Sequence, residues 1–210
     1  IPVEVDVASE FRYRDPILNE NTLMIIISQS GETADTLAAL REAKRAGCRV
    51  LSVVNVVGST IATESDDVLY TWAGPEISVA STKAYSTQLA VIYLLALYIG
   101  EQLGKFTQEQ LSAYIAALEK LPEQIDEMLK HKENIQFFAS KYFNASDMYF
   151  IGRNVDYAAS LEASLKLKEI SYIHSEAYAA GELKHGPISL IEDGTLVIAL
   201  ATDARLFDKM

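Results

Sequence analysis

Cysteine and positive charge are both scarce in this 210-residue sequence. The single cysteine, Cys48, cannot form an internal disulfide, which indicates a reducing compartment and favours a small buried side chain over a catalytic nucleophile. The 18 Lys and Arg residues face 29 Asp and Glu residues, a formal charge of -11. An acidic surface repels nucleic acid and anionic membranes, so we expect neither as a partner. A local site for a small anion is not excluded by this balance.

Long apolar runs are also missing. The longest, residues 89–99, falls short of the roughly 20 residues that a membrane-spanning helix needs and is typical of a buried helix. No secretory signal pattern opens the chain, so we predict a cytoplasmic protein. The sequence begins at Ile1 and ends at Met210, both close to or inside predicted elements. We therefore expect a fragment of a longer protein.

Buried strands alternate with helices along the chain. Residues 23–27 are a continuous apolar run, which predicts a strand buried on both faces, as in a parallel sheet. A helix pattern over residues 33–46 ends at Gly47, and a second buried strand is predicted at 50–56. The further predicted strands are 3–7, 68–71, 148–151 and 195–200, and the further helices are 81–99, 108–129, 134–143 and 157–170, with a turn or kink at Pro122.

The strand–turn–helix pattern starts again near Met148. We therefore predict an α/β fold with two units, residues 1–131 and 132–210, joined through helices. Each would be a doubly wound parallel sheet flanked by helices, like a Rossmann or flavodoxin sheet.

A hydroxyl-rich turn, residues 28–33, follows the first buried strand. Ser28, Ser30 and Thr33 offer hydroxyl donors, Gln29 offers an amide, and Gly31 lets the backbone approach a ligand closely. The next helix would begin there, and its first N–H groups attract anions. This segment predicts a phosphate site without a fixed positive charge. Plain helix capping by Ser30 is the alternative, and these residues alone leave both open.

Four motifs carry a resemblance to a known family. SQSGETADTL at residues 28–37 resembles the signature of sugar isomerase (SIS) domains. The remaining three are similar to stretches of the glutamine:fructose-6-phosphate amidotransferases, the glucosamine-6-phosphate synthases: GPEISVASTKA at 74–84, LKLKEISYIH at 165–174 and AAGELKHGP at 179–187. The similarity runs along nearly all of the chain. It implies two tandem SIS units, both truncated.

The resemblance also implies roles for individual residues. Glu169 would be the base that moves a proton between C1 and C2 of the sugar, with Lys166 beside it. His185 would assist ring opening, reaching into the site of a neighbouring subunit. The sugar phosphate would be bound by Ser28, Gln29, Ser30 and Thr33 and the sugar contacted by Val79, Ala80 and Ser81.

Each of these catalytic candidates could instead have an ordinary structural role. Lys166 and Glu169 lie three residues apart, so they share a helix face, but they could form an ordinary ion pair, with Glu162 as a further partner. His185 could be a loop histidine bonded to backbone. His174 does not lie at a zinc-type spacing from His185, and we predict no metal and no cofactor.

The implied ligands are fructose 6-phosphate and glucosamine 6-phosphate, and the implied partners are a glutaminase domain on the same full-length chain and a second copy in a homodimer. The family's Cys-Gly-Thr-Ser loop and its C-terminal Schiff-base lysine have no counterpart here, and Lys209 matches no part of that motif. Two alternatives are a noncatalytic SIS module that senses a sugar phosphate and a simpler isomerase with one SIS domain. Glu169 and His185 favour the enzyme over the sensor.

Overall fold

The computed structural model describes all 210 residues. Its strands form two separate three-stranded parallel sheets. The chain divides into two units, Ile1–Glu119 and Lys120–Met210, each containing one sheet. The boundary falls inside a helix, Gln108–Leu129, in which Pro122 is an internal residue. The prediction of an α/β fold with parallel sheets in two units is confirmed.

In the first unit the strand order is β1-β2-β3. The central strand is buried on both faces, whereas β1 lies at an edge. The elements are α1 (Ala8–Phe11), β1 (Leu23–Ser28), α2 (Ala34–Arg45), β2 (Arg49–Val54), α3 (Thr60–Glu64), β3 (Asp67–Tyr70), α4 (Lys83–Gln102) and the first part of α5 (Gln108–Leu129), the helix that contains the unit boundary.

The core of this unit lies where α2 packs on the sheet. Leu40 and Ala43 are three residues apart and therefore face the same way, and both are fully buried against the apolar side chains of β2. Cys48 belongs to this core, 4% exposed, with its thiol 3.2 Å from the carbonyl oxygen of Asn19. The prediction that Cys48 is a small buried side chain is confirmed.

In the second unit the order is β5-β4-β6. Two buried serines join its longest helix to the sheet, since the hydroxyls of Ser164 and Ser175 lie 2.9 Å apart. The elements are α6 (Lys132–Tyr142), β4 (Asp147–Gly152), α7 (Val155–Ser171), β5 (His174–Ala179) and β6 (Leu196–Ala199), with 3-10 helices at Leu183–His185, Pro187–Leu190 and Phe207–Lys209.

Two strand expectations at the start of the chain were wrong. The predicted strand at residues 3–7 is an unpaired segment in which Val5 is 92% exposed, because an alternating pattern forms a strand only when another strand pairs with it. Residues 23–27 do form a strand, β1, but it is not buried on both faces. Ile26 faces the core, whereas its neighbour Ile27 is 46% exposed on the opposite face of this edge strand.

The apolar run at residues 89–99 forms a helix, as predicted, but that helix is not buried. Within α4 only Ala84 is buried, and Tyr93 and Leu94 are each about half exposed. A helix that is apolar on every side is fully buried only when other elements pack against all of its sides, and here most of the α4 side chains remain partly or largely exposed. No helix has the length and apolar character needed to cross a membrane.

We predict that Ser52→Ala stabilises the first unit. The hydroxyl of Ser52 is fully buried and has no hydrogen-bond partner, and an unpaired buried polar group costs roughly 1–3 kcal/mol. Urea unfolding should show a free energy of unfolding higher by about 1 kcal/mol. The matched control is Ser164→Ala, which removes a paired buried hydroxyl and should lower stability by about the same amount. Destabilisation by Ser52→Ala would contradict this.

Candidate functional site

The turn at residues 28–33 lies at the carboxyl end of β1, between that edge strand and α2. Its own side chains order it. The buried hydroxyl of Ser28 accepts the N–H of Gly31 at 3.1 Å and lies 3.4 Å from the hydroxyl of Thr33. The hydroxyl of Ser30 accepts the N–H of Glu32 at 3.2 Å. The structure therefore brings three of the predicted phosphate ligands together on one short turn.

Gly31 fixes how this turn sits on the rest of the unit. Its φ is +68°, and a Cβ there would lie 2.0 Å from the hydroxyl oxygen of Ser59, so no other residue fits. The Gly31 carbonyl accepts the N–H of Ile61 at 3.0 Å. The turn consequently rests directly on the first residues of α3.

Glu32 adds a second attachment to α3, and sequence reasoning gave it no role. Its carboxylate accepts the backbone N–H and the hydroxyl of Thr60, both at 2.7 Å. The hydrogen bond from the Thr60 hydroxyl holds the pKa of Glu32 below its ordinary value. Both carboxylate oxygens are thus engaged by Thr60. The one signal in the sequence is an acidic residue inside a turn otherwise made of hydroxyls, an amide and glycine.

The N-cap of α2 is Thr33, not Ser30 as the capping alternative assumed. Thr33 has an extended backbone and makes no side-chain cap hydrogen bond, so no side chain occupies the first N–H groups of this twelve-residue helix. The acidic residue in that first turn, Asp35, pairs with Arg12 at 2.9 Å. The N-terminus of α2 therefore keeps backbone N–H donors for an anion, and the one acidic side chain in its first turn is paired with Arg12.

A cleft of about 440 Å³ opens beside the turn at the same end of the sheet. Gln29 contributes to its wall. The opposite wall comes from the segment that follows β3, and exposed Trp72 lies at its edge, with a ring centroid 5.7 Å from that of Tyr70. The lining residues are Gln29, Asn55, Val56, Trp72, Gly74, Pro75 and Glu76.

Val79, Ala80 and Ser81 lie further along that segment, just before α4. Val79 is 91% exposed, and Ala80 and Ser81 are partly buried. The Ser81 hydroxyl donates to the carboxylate of Glu76 at 3.1 Å, and the same carboxylate accepts the N–H of Ala84 at 3.2 Å. The bond from the Ala84 N–H holds the pKa of Glu76 below its ordinary value. Glu76, which sequence reasoning missed, therefore joins the cleft wall to the start of α4.

In the second unit, Lys166 and Glu169 meet on α7, as their spacing predicted. The Lys166 ammonium donates to the Glu169 carboxylate and lies 3.5 Å from the carboxylate of Glu162. The Lys166 and Glu169 side chains are only 22% and 25% exposed. The hydrogen bond to Glu169 raises the pKa of Lys166. The pair is therefore more enclosed than a free surface ion pair, and Lys166 is held in its charged form between two carboxylates.

His185 ends a short 3-10 helix and is exposed. Its backbone N–H donates to the carbonyl of Glu182 at 2.9 Å, but its imidazole makes no hydrogen bond and joins neither Lys166 nor Glu169. His174 instead pairs with Asp147, Nδ1 to Oδ1 at 3.0 Å. The structure contains no cluster of three or more His, Cys, Asp or Glu side chains arranged to hold a metal ion.

Comparison with known proteins places this fold and these motifs in one family. The SIS domain model matches residues 1–98 and 141–210, well over half of the chain. The chain belongs to the SIS domain family. The predicted resemblance to SIS domains is thereby confirmed, and each of the two matched SIS segments contains one of the parallel sheets.

Curated proteins that this chain resembles over its whole length share one name. The chain is 62% identical over 210 residues to the glutamine–fructose-6-phosphate aminotransferase (isomerizing) of Caldanaerobacter subterraneus subsp. tengcongensis and 63% identical over 209 residues to that of Clostridium tetani. Each match covers 100% of this chain and 34% of the relative, so the chain spans about a third of these curated relatives.

A solved structure with the same fold is the C-terminal domain of glucosamine-fructose-6-phosphate aminotransferase from Francisella tularensis. It is 40% identical, with a TM-score of 0.96, and the match covers 100% of this chain and 59% of that one. The predicted resemblance to the glutamine:fructose-6-phosphate amidotransferases is therefore confirmed.

We predict that Glu32→Gln destabilises the first unit in a pH-dependent way. The folded pKa of Glu32 lies below the ordinary 4.5, so its contribution to stability is present above that value and is lost as pH falls through the folded pKa. Urea unfolding at pH 7 should show the variant less stable than wild type, and the difference should shrink toward pH 3.

The control for this comparison is Glu119→Gln, a change on the exposed surface of α5 within the first unit that should leave stability at pH 7 unchanged. A Glu32→Gln difference that stays constant between pH 7 and pH 3 would show that the carboxylate charge is not what Thr60 binds.

Proposed function

We propose that this chain is the isomerase region of a glutamine:fructose-6-phosphate aminotransferase (isomerising). It would bind fructose 6-phosphate and, with ammonia from glutamine, convert it to glucosamine 6-phosphate for amino-sugar synthesis. The observation that carries this proposal is the 62% identity, over the whole chain, to enzymes of that name. The engaged Glu32, the free helix end and the enclosed Lys166–Glu169 pair support it.

The phosphate would bind at the turn of the first unit. Ser28, Ser30 and Thr33 would donate hydroxyls, Gln29 would donate its amide, and the uncapped N–H groups of α2 would face the phosphate oxygens. The one acidic side chain within the turn, Glu32, accepts hydrogen bonds from two neutral donors, the N–H and the hydroxyl of Thr60. Val79, Ala80 and Ser81, which follow the last cleft-lining residue Glu76 along the chain, would contact the sugar.

The proton transfer would fall to the second unit. Isomerisation removes a proton from one carbon and returns it to the next, and a carboxylate such as Glu169 can do both. Lys166, held in its charged form, would stabilise the negative oxygen that develops on the enediolate. Two enclosed, paired catalytic groups are more than a sugar-sensing module needs, which favours the enzyme over that alternative.

His185 would act on ring opening, because an imidazole can donate and accept protons near neutral pH. Its exposed side chain has no partner within this chain, which supports a role in the site of a second copy. We therefore propose a homodimer, the commonest oligomer. A glutaminase domain on the same full-length chain would supply ammonia, and the protein would be cytoplasmic.

We predict that Thr33→Val in the full-length protein weakens fructose 6-phosphate binding about tenfold, since a charge-assisted hydrogen bond contributes roughly 1.5–3 kcal/mol. Titration calorimetry would measure the affinity, with fructose as a phosphate-free comparison ligand. Thr36→Val, the same change three residues along α2, is the matched control and should bind like wild type. Equal affinities for the Thr33 and Thr36 variants would exclude the turn as the phosphate site.

We predict that Glu169→Gln in the full-length enzyme lowers kcat for glucosamine 6-phosphate formation by at least about 100-fold, the usual contribution of a general base. The KM for fructose 6-phosphate should change little, since the base does not hold the phosphate. Glu162→Gln is the control, because it removes the weaker carboxylate partner of Lys166 and should leave kcat within about threefold. Unchanged kcat in Glu169→Gln would rule out the assigned role.

A further inference from the structure

Asn55, the residue directly after β2, connects both sides of the cleft. Its backbone N–H donates to the carbonyl of Gln29 at 3.1 Å, on the phosphate turn. Its side-chain oxygen accepts the Thr71 hydroxyl at 3.0 Å and the Ala73 N–H at 2.8 Å. Its side-chain amide donates to the carbonyl of Gly74 at 2.7 Å. One residue therefore holds the turn after β1 and the segment after β3.

The connection continues to the predicted sugar contacts. Glu76 follows Gly74 by two residues, and its carboxylate holds Ser81 and the first turn of α4. Hydrogen bonds thus link Gln29 to Asn55 and Asn55 to Gly74, the chain continues through Pro75 to Glu76, and a further hydrogen bond links Glu76 to Ser81. It joins residues assigned to the phosphate with a residue assigned to the sugar.

The segment between β3 and α4 needs such a restraint. It contains no helix or strand, and two of its residues, Trp72 (φ 53°) and Gly74 (φ 71°), have left-handed backbone conformations. For a bulky residue such as Trp this conformation is unfavourable and persists only where the surroundings impose it. The carboxamide of Asn55 binds the N–H of Ala73 and the carbonyl of Gly74, immediately after Trp72.

We propose that Asn55 is a positioning residue that sets the separation between the phosphate turn, residues 28–33, and the sugar-contacting segment, residues 71–81. Asn55 itself lines the cleft, and its role is to hold the two walls at the spacing that one sugar phosphate needs rather than to take part in the reaction. This inference rests on the proposed function, because the ligand assigned to the two walls comes from it.

The test is Asn55→Asp in the full-length enzyme. The aspartate keeps the acceptor for Thr71 and Ala73 but replaces the donor to Gly74 with an oxygen, which repels the Gly74 carbonyl. We expect the KM for fructose 6-phosphate to rise about tenfold, with kcat within about threefold, since one lost hydrogen bond is worth roughly 1–1.5 kcal/mol. Asn144→Asp makes the same charge change at an exposed site and should leave both constants unchanged.

Asn55→Ala provides a second variant without added charge, and it retains the backbone bond to Gln29. Hydrogen exchange of the peptides covering residues 28–33 and 71–81 gives a readout independent of activity, and both variants should exchange faster over 71–81. A folded Asn55→Asp or Asn55→Ala enzyme with wild-type KM, or with wild-type exchange over 71–81, would overturn the inference. A loss of kcat at unchanged KM would overturn it as well.

Failure of the proposed function would look different. In that case the wild-type protein itself would neither bind nor convert fructose 6-phosphate, while the exchange of residues 71–81 in the Asn55 variants would still decide whether Asn55 holds this segment. Wild-type exchange in both variants would then reject the positioning role by itself.

Discussion

The close approach of Gly31 to Ser59 is the constraint on which the first unit's candidate site depends. A Cβ at Gly31 would lie 2.0 Å from the Ser59 hydroxyl, so the phosphate turn can rest on α3 only with glycine at that position. Once it rests there, the carbonyl of Gly31 and the carboxylate of Glu32 both find donors on α3. The same placement sets where α2 begins. The proposed anion site at the uncapped N–H groups of α2 therefore directly follows a turn that requires glycine at position 31.

The second unit uses a similar arrangement with different residues. Gly152 ends β4, and a Cβ there would lie 2.4 Å from the backbone of Asp156, so α7 starts tightly against its strand. The buried Asp156 carboxylate accepts the N–H of Thr202 at 2.8 Å and its hydroxyl at 2.6 Å, as Glu32 does with Thr60. In both units a glycine and a carboxylate–threonine pair therefore fix the turn between strand and helix. The chemistry differs, because the first unit presents hydroxyls at that turn and the second carries its paired charges further along α7.

Sequence patterns predicted the strands and side-chain pairs that depend on neighbouring residues. They missed a strand and two side chains whose roles depend on residues far away along the chain. Apolar runs located β1, β2 and β4, and three-residue spacing correctly placed Lys166 beside Glu169. β5 was missed because His174–Ala179 mixes charged, polar and aromatic residues, and only its pairing with β4 makes it a strand. Asn55 and Glu76 gave no signal, since their importance lies in bonds to residues up to 26 positions away or across an irregular loop. Apolar character alone overstated the burial of residues 89–99, because burial depends on which surfaces the other elements cover.

The proposed anion site lies in a chain of charge -11, and its turn, residues 28–33, contains no lysine or arginine. The carboxylate within the turn and the one in the first turn of α2 both have partners, Glu32 with Thr60 and Asp35 with Arg12. The other polar groups of the turn and of the helix end are neutral dipoles, namely hydroxyls, an amide and backbone N–H groups. Neutral donors bind a bare phosphate less strongly than fixed cations do, since a cation adds the Coulombic attraction between two full charges. Such a site favours a ligand that also makes contacts elsewhere, and the hydrogen-bonded path through Asn55 places a second contacting wall beside the first. Discrimination for a sugar phosphate over free phosphate would therefore come from the spacing of the two walls rather than from the strength of either.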